Sequence, residues 1–338
     1  MDVLVLYHNG VTTSMALEER HFQAIQKAAG GCAYVCEDEQ TAIRNRIDAD
    51  ILVFWGGTGT VPEAWCSTSR RLKWAHTLSA GYDLVEQSCL WQLPVHLTNT
   101  RGIHGKTIAL TVLGYVIALL RRFPGFYRCQ TDHVWERPLR SLPQEAEGRT
   151  ACIVGAGAVG CEIAASLKSI GMHVIGVKCR PAALPDFDEV VGTGCLQAVI
   201  PAADFLILAV PLTGETYHMI DSAVLSGMKP GTFLINVSRG SVVDEVALTA
   251  ALQAKRLGGA VMDVAEQEPL AADSPLWDLE NVIITPHMSA VSDCYMDRAV
   301  GQLCENICRF RNGKPLLNEI RKIKETSRGK HPDKRSQN

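Results

Sequence analysis

No sign of charge dominates this chain, whose formal net charge is only −3. That balance argues against a nucleic acid or a membrane surface as the main partner. No apolar run reaches the roughly 18–20 residues that a membrane span needs, and the longest, Ile108 to Leu120, reads as a buried helix. No basic stretch opens the sequence: Met1 to Tyr7 is already strand-like, so a signal peptide is not expected. Cysteine is plentiful at 12 residues, but there is no C-x-x-C, and the closest pairs are Cys32/Cys36 and Cys304/Cys308. Such spacing supports neither a disulfide framework nor a metal site, and no metal is expected. Scattered cysteines with apolar neighbours are expected to be buried thiols in a reducing compartment, which points to the cytoplasm. No internal repeat is visible.

What is present is an alternation of strand-like and helix-like segments. With 338 residues and 47% apolar content, two domains of ordinary size with full cores are expected. Strands are predicted at 3–7, 33–36, 51–55, 73–78 and 95–98, with a helix over 15–29 that stops at Gly30-Gly31. An apolar helix follows over about 106–122, stopped by Pro124, and 125–150 reads as a connecting arm with Pro138 and Pro143. From Thr150 the alternation resumes, with strands at 151–154, 173–178, 205–210, 232–237, 259–264 and 282–285. A terminal helix over 293–311 ends at Asn312-Gly313, and the polar, charged residues 323–338 are expected to be a disordered tail. The fold class is α/β: two Rossmann-like or flavodoxin-like domains with doubly wound parallel sheets.

One segment carries chemistry openly. Ala151-Cys152-Ile153-Val154 runs into Gly155-Ala156-Gly157-Ala158-Val159-Gly160, a G-x-G-x-x-G, and Val159, Ile163, Leu167 and Ile170 then mark one face of a helix. The first glycine of such a motif allows the tight turn, the second lets backbone approach a pyrophosphate, and the third lets helix and strand pack closely. The helix N-terminus offers its N–H groups to the phosphates. A dinucleotide site is therefore expected here.

Three later segments place an ionisable group just past an apolar strand: Asn236-Val237-Ser238-Arg239-Gly240, then Asp263-Val264 with Glu266 and Glu268-Pro269-Leu270, then Thr285-Pro286-His287. Together with Leu208-Ala209-Val210-Pro211-Leu212-Thr213 and Thr216, the chain resembles the D-isomer-specific 2-hydroxyacid dehydrogenases. Trp74 to Asp83 is similar to that family's substrate loop and Asn99-Thr100-Arg101-Gly102 to its domain crossing; Glu305-Asn306 and Gly313-Lys314-Pro315-Leu316 fit as well. The resemblance covers about residues 50 to 318. It implies a substrate domain at 1–100 plus 291–322, a dinucleotide-binding domain at 101–290, an active site in the interdomain cleft, and a homodimer packed through the dinucleotide domain.

The resemblance also implies roles. Arg239 binds the substrate carboxylate and polarises the 2-keto oxygen, since a guanidinium keeps its charge and offers a fixed fork of donors. His287 is the acid/base, and Glu268 pairs with it and orients its ring. Ser79, Ala80 and Gly81 present backbone N–H groups to the carboxylate, and Trp55 belongs to the substrate loop. Asp263 and Val237 line the nicotinamide pocket; Gly155, Gly157, Ala158, Val159 and Gly160 cradle the pyrophosphate; Val210, Pro211 and Thr216 complete the cofactor site. Glu266 competes with Glu268, and is read as a solvated neighbour because Glu268 directly precedes Pro269. His76 and His104 are read as packing or hinge residues.

Two departures stand out. Where NAD-dependent enzymes carry an acid after the second strand, this chain reads Val177-Lys178-Cys179-Arg180, and no acid follows until Asp186. Lys178 and Arg180 suit a 2′-phosphate bearing close to two negative charges, which favours NADP over NAD; side chains turned to solvent, with either cofactor tolerated, is the alternative. The second departure is Leu110, where the family usually has Glu. The small aromatic stretch Phe54-Trp55-Gly56-Gly57 suggests a short 2-oxo acid such as glyoxylate or hydroxypyruvate, in the reducing direction. Two other readings stay open: a dinucleotide-gated interaction module like the C-terminal-binding corepressors, and an NAD-dependent formate- or phosphite-type oxidant.

Overall fold

The structure, a computed structural model, describes residues 1–7, 16–56, 61–135 and 142–320. Two compact units emerge: Met1–Arg101 together with the described part of Asp293–Asn338, and Gly102–Ser292. Gly57, Pro138 and the expected tail 323–338 lie outside the described residues, as does Met15 at the start of the first predicted helix.

The first unit holds a parallel sheet of Val3–Leu6 (β1), Ala33–Cys36 (β2), Ile51–Phe54 (β3), Trp74–Thr77 (β4) and His96–Asn99 (β5). Its order, β2-β1-β3-β4-β5, is the flavodoxin-like winding. Side chains alternate across a strand, so Leu4, Leu6, Leu52, Phe54, Ala75 and Leu97 enter one cluster with Trp65 and Leu90. Trp74 meets Phe310 with ring centroids 5.5 Å apart. Phe310 belongs to the helix Tyr295–Arg311, so the last helix of the chain returns to the first sheet. The helix Glu19–Ala29 ends where Gly30 turns left-handed at φ 62°.

The second unit holds Thr150–Val154 (β6), His173–Val177 (β7), Glu189–Val191 (β8), Phe205–Leu208 (β9), Phe233–Asn236 (β10), Gly259–Met262 (β11) and Val282–Ile284 (β12). The order is β12-β11-β10-β9-β6-β7-β8, all parallel, with the winding direction reversing between β9 and β6. Both faces are buried. Val154, Leu208 and Leu234 pack with Leu225, Leu248 and Leu252 of two helices, Ser222–Gly227 and Glu245–Gln253. Ile153, Ile207 and Ile235 pack with Val112, Val116, Ile163 and Leu167 of two others, Gly105–Leu120 and Ala158–Lys168.

An aspartate pins the first strand of each sheet from a neighbouring strand. Asp50, just ahead of β3, accepts the N–H of Asp2 at 3.0 Å and meets Arg71 and Lys73 at 2.9 Å each. Asp204, just ahead of β9, accepts the N–H of Thr150 at 2.9 Å and meets Lys229 at 2.9 Å and Arg149 at 3.2 Å.

Three expectations need correction. Pro124 does not end the helical stretch but sits in the first turn of a further helix, Phe123–Thr131, across a 68° bend. A proline costs ~3 kcal/mol inside a helix but nothing in the first turn, where its missing N–H has no helical partner. The thiols are not uniformly buried: Cys36, Cys66 and Cys152 are, whereas Cys32, Cys179, Cys195, Cys294 and Cys308 are exposed. Phe54 is buried in the core of its sheet and not in a substrate loop. Among the described residues, no single helix is long and apolar enough to cross a membrane.

Candidate active site

The expected cofactor and catalytic residues of the second unit fall along one edge of its sheet, the carboxyl ends of the strands, in spatial order. Lys178 and Arg180 follow β7, the glycine turn follows β6, and Val210 and Pro211 follow β9. Arg239 follows β10, Asp263 and Glu268 follow β11, and His287 follows β12. That edge, at the winding reversal, is where open α/β sheets bind ligands.

Each glycine of the turn has its own reason. Gly155 has φ 107°, and a side chain there would also overlap the Ala209 carbonyl. A side chain at Gly160 would overlap the Gly155 carbonyl, so the helix could not close on the strand. A Cβ at Gly157 would meet nothing within 4 Å, so space is left where a pyrophosphate would approach. Gly157 also caps the helix Ala158–Lys168 with no side-chain hydrogen bond, leaving the N-terminal amides of Ala158 and Val159 available. These residues fit a dinucleotide. Thr216 is committed differently: its hydroxyl donates to the Pro211 carbonyl at 2.7 Å and accepts the Thr213 N–H at 2.7 Å, fixing the turn after β9. Among the described residues, neither Lys178 nor Arg180 has an ion-pair partner, and Arg180 is exposed.

Arg239, Glu268 and His287 are shaped by buried polar neighbours. The Asn236 side chain accepts the Ser238 N–H at 3.0 Å and donates to the Arg239 carbonyl at 3.0 Å, folding the turn that presents Arg239. Gly240 lets that turn lie against Ala265 and Glu266, where any Cβ would collide. His287 adopts a left-handed φ of 55°. Its loop is held by Asp263, only 1% exposed, whose carboxylate accepts from the Thr285 hydroxyl at 2.6 Å and from the N–H groups of Met288 and Ser289 at 2.9 Å each. Asp263 therefore anchors the histidine loop, beyond the nicotinamide-lining role expected of it.

His287 Nδ1 lies 2.8 Å from Glu268 Oε2. An ionised carboxylate only accepts, so Nδ1–H donates, and Nε2 has no partner among the described residues. Burial works against the Glu268 charge, but the bond from His287, the Ala265 N–H and the Arg239 charge outweigh it and hold the carboxyl below its ordinary range. Glu266 is exposed, as a solvated neighbour should be. It pairs with His218 at 2.6 Å and accepts the Glu245 N–H. Sequence reading missed Asn236, Ser289 and His218; the asparagine could have been found inside N-V-S-R-G, whereas the other two carry no local signal.

In the first unit, Ser79, Ala80 and Gly81 follow β4. Trp55 lies just past β3, its ring 5.7 Å from that of Tyr295. Burial pushes the His76 imidazole down to about 3, and its Nδ1 sits 2.7 Å from the Thr98 hydroxyl, as a packing residue requires.

Residues 113–289, more than half of the chain, match the family model described as "D-isomer specific 2-hydroxyacid dehydrogenase, NAD binding domain". The chain belongs to this family. A glyoxylate reductase of Korarchaeum cryptofilum is 35% identical over 240 residues, covering 70% of this chain and 72% of that one. A family member of known structure from Aeromonas salmonicida has a TM-score of 0.83 at 32% identity, over 95% of this chain and 98% of that one. Another, from Xanthobacter autotrophicus in complex with NADPH and MES, has a TM-score of 0.79 at 27% identity, over 94% of this chain and 98% of that one. The protein is an NAD(P)-dependent oxidoreductase of the D-2-hydroxyacid dehydrogenase and glyoxylate reductase type, and the corepressor alternative is not favoured.

Proposed function

We propose that the protein reduces a short 2-oxo acid, glyoxylate or hydroxypyruvate, to the D-2-hydroxy acid, with NADP preferred over NAD. The observation that carries the reading is the 2.8 Å contact of His287 Nδ1 with Glu268, which leaves Nε2 for the substrate. The bound nicotinamide supplies the hydride. Arg239 holds the substrate carboxylate and draws electron density toward the 2-keto oxygen. His287 Nε2 gives its proton to that oxygen as C2 is reduced, and takes it back in oxidation. Glu268 keeps the ring in the productive orientation. In the first unit, the amides of Ala80 and Gly81 receive the carboxylate, the Ser79 N–H being committed to the Thr77 hydroxyl at 3.3 Å, and Trp55 lines the substrate position.

For the cofactor, Gly155, Gly157, Ala158, Val159 and Gly160 hold the pyrophosphate. Val210, Pro211, Thr216, Val237 and Asp263 frame the remainder. Lys178 and Arg180, without ion-pair partners among the described residues, meet the 2′-phosphate. An NAD-dependent formate- or phosphite-type oxidant would need no such cations. The homodimer would pack through the second unit, where Leu110, Tyr127 and Trp135 are exposed at 69%, 64% and 97%.

Steady-state rates on a panel of 2-oxo acids with NADPH and with NADH test the reading. Turnover of glyoxylate or hydroxypyruvate with a lower KM for NADPH is expected. Failure to oxidise either cofactor with any acid on the panel would overturn the substrate reading.

A further inference from the structure

The carbonyls of the loop after β4 are each hydrogen-bonded. The Leu78 carbonyl accepts the Tyr295 hydroxyl at 2.9 Å, and the Ser79 carbonyl accepts the Thr100 N–H at 3.1 Å. The Ala80 carbonyl accepts the Asn99 side-chain amide at 2.6 Å, and the Gly81 carbonyl accepts the Ser79 hydroxyl at 2.8 Å. Every carbonyl from Leu78 to Gly81 thus has its own donor. The peptide unit is planar and trans, so a carbonyl and the N–H of the next residue point in opposite directions. Fixing the Ser79 and Ala80 carbonyls turns the N–H groups of Ala80 and Gly81 away from the donors. Among the described residues, neither N–H has an acceptor. Successive N–H groups aimed to one side form an anion-binding concavity.

Two of the side-chain donors, Asn99 and Tyr295, reach the loop from other elements. Asn99 is the last residue of β5 and 2% exposed; Tyr295 opens the returning helix and is 5% exposed. Thr77 braces the same loop, its hydroxyl accepting the N–H of Gly56 at 2.9 Å and of Ser79 at 3.3 Å.

We propose that Asn99 and Tyr295 are positioning residues for substrate binding: Asn99, by holding the Ala80 carbonyl, aims the Gly81 N–H at the carboxylate of the 2-oxo acid, and Tyr295, by holding the Leu78 carbonyl, fixes the base of the loop, where the Ser79 N–H is already taken by Thr77. The inference rests on the reading that the amides of Ala80 and Gly81 bind the carboxylate. It makes the affinity for a carboxylate, and not the hydride-transfer step, depend on a side chain that never touches substrate.

Glyoxylate and methylglyoxal, a 2-oxo compound without a carboxylate, separate the possibilities. Asn99→Leu removes the donor at similar size without adding charge. It is expected to raise the KM for glyoxylate about tenfold with kcat little changed, while kcat/KM for methylglyoxal and the KM for NADPH stay within about twofold. Tyr295→Phe, which deletes one oxygen, is expected to act in the same direction and covers the case in which Asn99→Leu does not fold. Equal losses on both substrates would mean a merely structural role, and unchanged KM values in both variants would likewise overturn the proposal. A wild-type enzyme with no preference for glyoxylate over methylglyoxal would instead remove the carboxylate-binding reading, and this inference with it.

Discussion

At the scale of single residues, the site divides into groups that can touch a ligand and groups that aim them. His287 is 40% exposed at its side chain and Glu268, its partner, 36%. Asp263 and Asn236 are buried and spend their hydrogen bonds on the loops that carry His287 and Arg239. His287→Gln is expected to lower kcat by about 10²–10⁴ with dinucleotide binding intact; rate and binding measurements on the purified variant check this, and near-normal turnover would remove the acid role. The places of Arg239, Glu268 and His287 past apolar strands were legible in the sequence, whereas the roles expected of them came from the family resemblance. The aiming residues were harder to read, since Asp263 serves residues 22 to 26 positions away through contacts that only the fold creates.

At the scale of elements, strong apolar runs were read well. Ala33–Cys36 matches its predicted bounds, and most other strands differ from theirs by one or two residues. β8 escaped because Glu189-Val190-Val191 is short, half exposed and partly polar, too brief to show an alternation. Phe123–Thr131 escaped because a proline after a helix reads as a stop, although the first turn of a new helix accepts it equally. The missed edge strand bears on cofactor choice: the N–H of Lys178 donates to Val191 of β8 at 3.0 Å, so its backbone is fixed beside the end of β7. Changing Lys178 and Arg180 together to alanine is expected to erase the preference for NADPH. The ratio of kcat/KM for the two cofactors measures it, and an unchanged ratio would place recognition elsewhere.

At the scale of the whole molecule, the exposed apolar side chains of the second unit bear on assembly. Leu110 is exposed on the same helix as exposed Ile117, with Phe123, Phe126 and Tyr127 on the next. Tyr127→Glu combined with Trp135→Glu is expected to shift a dimer toward monomer in light scattering; a wild-type monomer would contradict the homodimer. The aspartates that pin β1 and β6 carry a different consequence, one of protons. Burial disfavours the charge on Asp50, yet Lys73, the Asp2 N–H and Arg71 hold its carboxyl below the ordinary 3.8. For Asp204, burial is likewise outweighed by the Thr150 N–H, Lys229 and Arg149. A carboxyl depressed in the folded state contributes stability that is present above its unfolded value and lost as pH falls through the folded one. Urea midpoints are therefore expected to fall below about pH 4, and Asp50→Asn or Asp204→Asn to lower the neutral-pH midpoint while flattening that fall. Because the same kind of group closes both sheets, acid should loosen the two units over one pH range, although they share no sequence repeat.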